Sequence, residues 1–290
     1  AWSITPVVTG SLWTLRDESV NSFADASVLS SDNRRTRRFD SADLRWQIDG
    51  AWFALTELQR SRNVNEQPLV GEESSQTDTA AIGVGRQTPK GSSATLRYQT
   101  GSGRTVDPAG IPSPLRDDRF SQNAWVLDLN WVASGRSTWL ASLSGIDRRH
   151  DRVPQRDYQV LNGRLQASWS PSARTLLRGT WSRENGSYQT DQASITRNDQ
   201  WSLLANWSIT HRTSLSAQFG EARRRFLRPL PGQGSDPRRD HTRDQSLTLR
   251  WNFSDDASMD LRWLSSRRFS TDPAARFRSH GLQWGVSASF

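Results

Sequence analysis

The residues here that could carry chemistry are four histidines, the carboxylates and a large population of arginines. His150, His211, His241 and His280 stand far apart, and none has the spacing of a metal site. Cysteine is absent, which removes disulfides, thiol catalysis and zinc–thiolate sites. The chain contains no Gly-x-Ser-x-Gly elbow and no phosphate-binding P-loop. Carboxylates are plentiful in the loops, without a pair that points to glycoside hydrolysis. A lipid hydrolase working from a barrel wall would need Ser and His side by side on the lipid side. No predicted strand carries such a His in its interior. The expectation is a non-enzymatic protein with no metal and no cofactor.

Arginine is the more informative residue. The chain has 38 basic against 30 acidic side chains, net +8, and Lys90 is its only lysine. Guanidinium groups suit planar, two-pronged contacts with carboxylates and phosphates. A balance this basic invites a nucleic-acid reading. The arginines, however, are spread along the chain and interleaved with acids, with no single basic stripe and no known motif, so nucleic acid is not an expected partner. The clusters Arg34–Arg38, Arg223–Arg225 and Arg238–Arg239 fall in predicted loops or at loop ends. There they could face lipopolysaccharide or another anionic polymer, or act as solvated charge.

The elements that must position these residues are strands. Apolar residues alternate with polar ones in Leu44–Trp46–Ile48, Trp125–Leu127–Leu129–Trp131, Leu161–Gly163–Leu165–Ala167–Trp169, Trp201–Leu203–Ala205–Trp207, Leu247–Leu249–Trp251–Phe253, Met259–Leu261–Trp263 and Leu282–Trp284–Val286–Ala288–Phe290. Hydrophobic residues make up only 34 % of the 290, a thin core for a soluble chain of this length. A barrel with a wet lumen needs only every second strand residue to be apolar. Short connections with turn chemistry, at Asp49–Gly50, Thr88–Gly91, Ser134–Arg136, Ser170–Ala173, Thr210–Arg212 and Ser254–Asp256, alternate with long polar links. Short on one side and long on the other is the layout of an outer-membrane barrel, with periplasmic turns and extracellular loops.

These patterns predict an all-β fold, a single antiparallel transmembrane β-barrel over 1–290 in the bacterial outer membrane. About 15 strands are expected, the first at roughly 1–5 and the last at 278–290. The last strand ends on the turn side, and bacterial barrels have even strand numbers. The parity implies at least one strand before Ala1, 16 or more in the full protein, and an open seam or strained closure in this chain alone.

Facing follows from parity. Trp46, Trp52, Trp131, Trp139, Trp169, Trp207 and Trp251 all lie near short turns, at the level of a periplasmic aromatic girdle. The opposite parity names lumen residues, among them Arg45, Arg97, Arg164, Arg178, Arg250, Arg262, Asp128 and Asp260. An Arg turned to lipid near the midplane would cost about 2–4 kcal/mol, which enforces the choice. The segment 51–62 follows no clean alternation and is assigned to neither face. Arginines with amides and hydroxyls can hydrogen-bond sugars and pair with acidic ones; a solvated, charge-balanced pore wall fits the same residues. The final strand, with Trp284 and terminal Phe290, resembles the C-terminal signal that the outer-membrane assembly machinery recognises.

The stretch His150–Asp151–Arg152–Val153–Pro154–Gln155–Arg156–Asp157–Tyr158, running into Leu161–Asn162–Gly163–Arg164–Leu165, resembles outer-membrane proteins of exopolysaccharide operons, the EpsL type found with exosortase systems. Arg34–Phe39, Thr88–Gly91 with Leu96–Arg97–Tyr98, and Trp181 with Gly186–Ser187–Tyr188 add to the resemblance in order and spacing. It implies an outer-membrane barrel serving export of extracellular polysaccharide, and it carries over no catalytic residues. The expected function is a passive conduit whose partners are the polysaccharide, outer-membrane lipid and lipopolysaccharide, the assembly machinery and other components of an export system. A general diffusion porin and a structural or adhesive barrel are the alternatives.

Overall fold

In the computed structural model the described residues are 8–22, 32–65, 75–105, 119–152, 154, 157–190, 193–227 and 238–288. They form β1 (Val8–Ser22), β2 (Asp32–Gln47), β3 (Trp52–Asn65), β4 (Ser75–Gln87), β5 (Ser93–Thr105), β6 (Arg119–Ser134), β7 (Ser137–His150), β8 (Tyr158–Ser172), β9 (Thr175–Thr190), β10 (Ala193–Ser208), β11 (Thr213–Leu227), β12 (Arg239–Asn252), β13 (Ala257–Ser270) and β14 (Phe277–Ala288). Each strand pairs antiparallel with the next, in one sheet ordered β1 to β14. Among the described residues no ladder joins β1 to β14, so the barrel wall is open there. Fourteen strands stand against the expected 15 or so; the expected first strand, 1–5, lies outside the described residues. A 3-10 turn, Pro273–Ala275, sits between β13 and β14.

The ladders assign every described strand residue to a face, because directly paired residues share one. Leu44, Leu127, Leu165, Leu203, Leu249 and Leu261 fall on one side. Arg45, Asp128, Arg164, Ser202, Arg250 and Arg262 fall on the other. Burial is inverted relative to a soluble protein. On the apolar side Leu161, Ile82 and Trp284 are 61 %, 63 % and 75 % exposed, whereas Phe53, Phe120 and Tyr158 on the polar side are each 5 % exposed. Side chains crowd together on the polar side, which identifies it as the inside of the curve. The apolar side faces outward with nothing but lipid to cover it.

The segment 51–62 is resolved by its partners. Ala54 pairs Trp46 and Leu58 pairs Ala42, so both face out with Trp52 and Thr56. Phe53, Leu55 and Glu57 face in. Two inward rings lie flat on glycines directly across the ladder: Phe53 on Gly85 and Phe120 on Gly103. A Cβ on Gly85 would stand 2.3 Å from the Phe53 ring, and one on Gly103 would stand 2.1 Å from Phe120. Each ring is capped by a guanidinium, Arg45 at 3.7 Å over Phe53 and Arg148 at 4.0 Å over Phe120.

The strands are longer than a membrane requires. A crossing strand needs roughly 9–11 residues, while β6, β9 and β10 each have 16. The surplus lies on the loop side. The link expected at 186–198 is largely ladder, since β9 and β10 run to Thr190 and from Ala193, and the ends of the one expected at 225–243 are strand, since β11 runs to Leu227 and β12 begins at Arg239. The clusters Arg34–Arg38, Arg223–Arg225 and Arg239 therefore lie on strands, not in loops. Beyond the membrane both faces meet water, so the alternation that marks a strand disappears while backbone pairing continues.

The short turns are held by side chains. Asp49 Oδ1 accepts the N–H groups of Ala51 and Trp52, both at 2.7 Å, and Thr210 Oγ1 accepts those of Arg212 and Thr213. The two bonds, that from Trp52 foremost, hold the Asp49 carboxyl below its ordinary pKa.

Two outcomes follow. Gly85→Val should cost about 1–3 kcal/mol, read by urea unfolding in phospholipid vesicles, and adding Phe53→Ala should recover part of that loss by vacating the space. A carboxyl with a depressed folded pKa stabilises above the unfolded value and loses that stabilisation as pH falls through the folded one. The stability difference between wild type and Asp49→Asn should therefore be full at neutral pH and shrink below roughly pH 4.

Candidate functional site: the two faces of the barrel wall

The outer face has three levels. Nearest the short turns are Trp46, Trp52, Trp131, Trp139, Trp169, Trp207 and Trp251, all facing out. Above them runs an aliphatic band that includes Leu129, Leu203 and Leu261. A second aromatic belt then follows, which the sequence reading missed: Tyr98, Trp125, Trp181, Trp201, Phe219 and Trp263. Tyr98 packs on Trp125 and Trp201 on Phe219, each at 5.0 Å between centroids, and Trp181 pairs Trp201. Trp131 to Trp125 and Trp207 to Trp201 are both six residues, about 20 Å along a strand, close to the height of a lipid-facing band bounded by aromatic girdles. Counting six back from each turn-side Trp on β6 and β10 would have found it. Trp284 also faces out; Phe290 lies outside the described residues.

The inner face holds all eight lumen candidates. Arg45, Arg97, Asp128, Arg164, Arg178, Arg250, Asp260 and Arg262 share the polar side. Their environments differ by wall. Arg97 reaches across Gly83 to Glu57 at 2.9 Å on one side and meets Asp128 at 2.5 Å on the other. Arg45 spans to Gln87 at 2.8 Å. Arg45 and Arg97, on β2 and β5, are thus clamped. The candidates on β8–β13 are open. Arg178 touches only Ser168, at 3.4 Å, and among the described residues Arg164, Arg250 and Arg262 have no carboxylate within ion-pair distance. Nearer the loops, inward Phe120, His150, Arg148 and Tyr158 form a cluster not foreseen from the sequence, although counting by twos from Asp128 reaches Phe120 and from Asn162 reaches Tyr158. Arg148 lies between the Phe120 and Tyr158 rings and donates to Gln122. The link above it is tied by Asp157, which accepts the His150 N–H at 2.7 Å.

One expectation is overturned. A His does stand beside a Ser on the outer wall: Ser265 on β13 pairs His280 on β14, with Oγ and Nδ1 3.1 Å apart. Arg278 Nε–H donates to His280 Nε2 at 2.7 Å. Since a guanidinium can only donate, Nε2 must be the unprotonated nitrogen and Nδ1 carries the hydrogen that points at Ser265. A serine nucleophile needs the reverse, a bare imidazole nitrogen ready to take its proton. The pair is a structural bridge in this arrangement. Among the described residues no three His, Asp or Glu side chains come together as metal ligands.

Known structures reproduce this wall. The chain is similar to the FrpB iron transporter from Neisseria meningitidis, at TM-score 0.53 and 8 % identity over 97 % of this chain and 53 % of that one. It is similar to the copper transporter OprC, at 0.52 and 9 % over 98 % of this chain and 64 % of that one. The alcaligin outer-membrane receptor FauA from Bordetella pertussis gives 0.50 and 10 % over 97 % of this chain and 54 % of that one.

The fold is that of a bacterial outer-membrane β-barrel.

This chain spans about half the length of the first of these structures. No protein family and no curated protein matches its sequence. At such identities the likeness concerns the barrel architecture alone. It agrees with the outward apolar band and its two girdles, and it places the molecule in the outer membrane.

The band carries its own test. Leu261→Arg, outward and mid-band, should destabilise the vesicle-embedded barrel by about 2–4 kcal/mol, whereas Arg262→Gln, one residue away on the wet face, should leave its urea midpoint nearly unchanged.

Proposed function

We propose that this barrel is a passive, non-catalytic conduit for an extracellular polysaccharide, and that the polymer carries acidic sugars. The observation that carries the reading is the open arginine wall of β8–β13. Arg164, Arg250 and Arg262 point inward beside Asn162, Gln166, Thr248 and Gln283, and Asp260, which pairs Arg250 across the ladder, makes no ion pair with any of them. Guanidinium groups among amides and hydroxyls offer charge-assisted, two-pronged bonds to uronate or other sugar carboxylates, and neutral bonds to sugar hydroxyls. Because neighbouring groups are exposed and spaced along a wall, a chain can exchange one contact for the next, as passage requires. The clamped Glu57–Arg97–Asp128 wall opposes it with little free charge. The resemblance of the His150–Tyr158 stretch to exopolysaccharide-operon proteins supports the same direction. Iron and copper are the cargo of the fold neighbours; an acidic polymer fits the arginine wall better. With no nucleotide-binding motif in the chain, drive would come from inner-membrane components of an export system.

Planar-bilayer conductance of the full chain tests this. Added acidic polysaccharide should block the current reversibly, and Arg164→Gln/Arg250→Gln/Arg262→Gln should weaken the block by about tenfold or more. Conductance that ignores the polymer would assign the barrel to general diffusion. Absence of any conductance would make it a structural or adhesive barrel. In cells, gene deletion should leave the polymer in the periplasm.

A further inference from the structure

The outer face has a feature that neither a conduit nor a lipid-facing band explains. Just above the second aromatic belt, Arg243, Arg267 and Arg278 stand side by side on β12, β13 and β14, directly paired and all facing out. Like charges opposed in a ladder repel and are destabilising. The one acid in their row is Glu221, and it is already shared: Arg223 lies at 2.8 Å, His241 at 2.9 Å and Arg243 at 3.5 Å from its carboxylate. Arg267 stacks on Phe269 at 4.0 Å, and Arg278 donates to His280. Among the described residues neither has a carboxylate partner. A second outward row repeats the pattern nearer the loops, where Arg197, Arg225 and Arg239 are paired across β10, β11 and β12. On β12 the two rows are four residues apart, about 13 Å.

Position decides what can neutralise them. Below the lower row comes the outward polar row Gln245–Ser265–His280, and below that Trp263 and Leu282 face out, 41 % and 68 % exposed, and pair with each other. A ligand for this patch must therefore be anionic where it meets the arginines and aliphatic below them. It must also approach from the membrane side, in the leaflet on the loop side of the barrel. Those demands describe a phosphorylated glycolipid, and in this leaflet that is the lipid A portion of lipopolysaccharide. We propose that the outer surface of β12–β14, with the adjoining Arg225 and Arg239, is a lipid A binding site. Arg243, Arg267 and Arg278 grip one phosphate, the upper row receives a second, and the acyl chains lie on Trp263 and Leu282. Guanidinium forks match phosphate oxygens two by two. At the edge of the hydrocarbon, these contacts are screened less than loop charges in open water. The site is on the opposite face from the proposed conduit, and the two stand or fall separately.

The test uses the full chain in lipid nanodiscs, with bisphosphorylated lipid A and chemically dephosphorylated lipid A as probes in native mass spectrometry. The wild type should prefer the bisphosphorylated lipid by about tenfold or more. Arg243→Gln/Arg267→Gln/Arg278→Gln should erase that preference, while Arg164→Gln/Arg250→Gln/Arg262→Gln, with the same loss of charge on the inner face, should keep it. Equal binding of the two lipids by the wild type overturns the proposal without any variant. So does an equal loss in both triple variants, which would mark a bulk charge effect, or full competition by inorganic phosphate at the lipid's own concentration, which would mark a free-phosphate site.

Discussion

Inside a bilayer no water is available to satisfy a peptide group, so every backbone N–H and C=O in the hydrocarbon must find another peptide. In this molecule continuous antiparallel ladders meet that demand on both edges of β2 to β13 and on one edge each of β1 and β14. The rest follows from the geometry of a strand. With backbone pairing settled, side chains are free to alternate, and the two sides of the sheet can be assigned to two solvents. Leucine and tryptophan stay exposed on the outside because lipid replaces the core they lack. Arginine stays on the inside because turning it outward at mid-band would cost more than any single contact in the structure returns.

The same residue type then acquires different roles from its neighbours. Arg97 is neutralised between Glu57 and Asp128 and stiffens one wall. Arg45 and Arg148 lie over the faces of inward phenylalanines, where their planar groups fill space as much as they carry charge. Arg164, Arg250 and Arg262 are left open to whatever occupies the lumen. Arg243, Arg267 and Arg278 face the other way, at the boundary of the lipid band. Charge on this molecule is therefore organised by face and height, and a net value for the whole chain conceals two distinct surfaces.

Much of this could be read from alternation alone. Where a strand crosses lipid, as in Trp125–Trp131 or Trp201–Trp207, one parity is apolar and the other is polar, and the assignments of Arg164, Arg250 and Asp128 followed directly. The pattern failed in three places for physical reasons. Between 186 and 198 the strands project into water, both parities are polar, and a ladder looks like a loop. Between 51 and 62 the inward side carries Phe53, admitted because Gly85 opposite leaves room for its ring, and Leu55, so apolar residues occur on both parities. The Ser265–His280 bridge joins residues on different strands, and strand spacing along one chain cannot reveal a partner across a ladder.

The sequence by itself determined the class of fold, the sign of each face in the lipid-crossing segments and the height of the turn-side girdle, because these depend on period-2 alternation and turn chemistry, which are local. Tertiary structure decided register. Register set which arginine meets a carboxylate, which is left open, and which three stand side by side on the outer wall. Such outcomes depend on the offset between strands, a quantity that the pattern within any one strand does not contain.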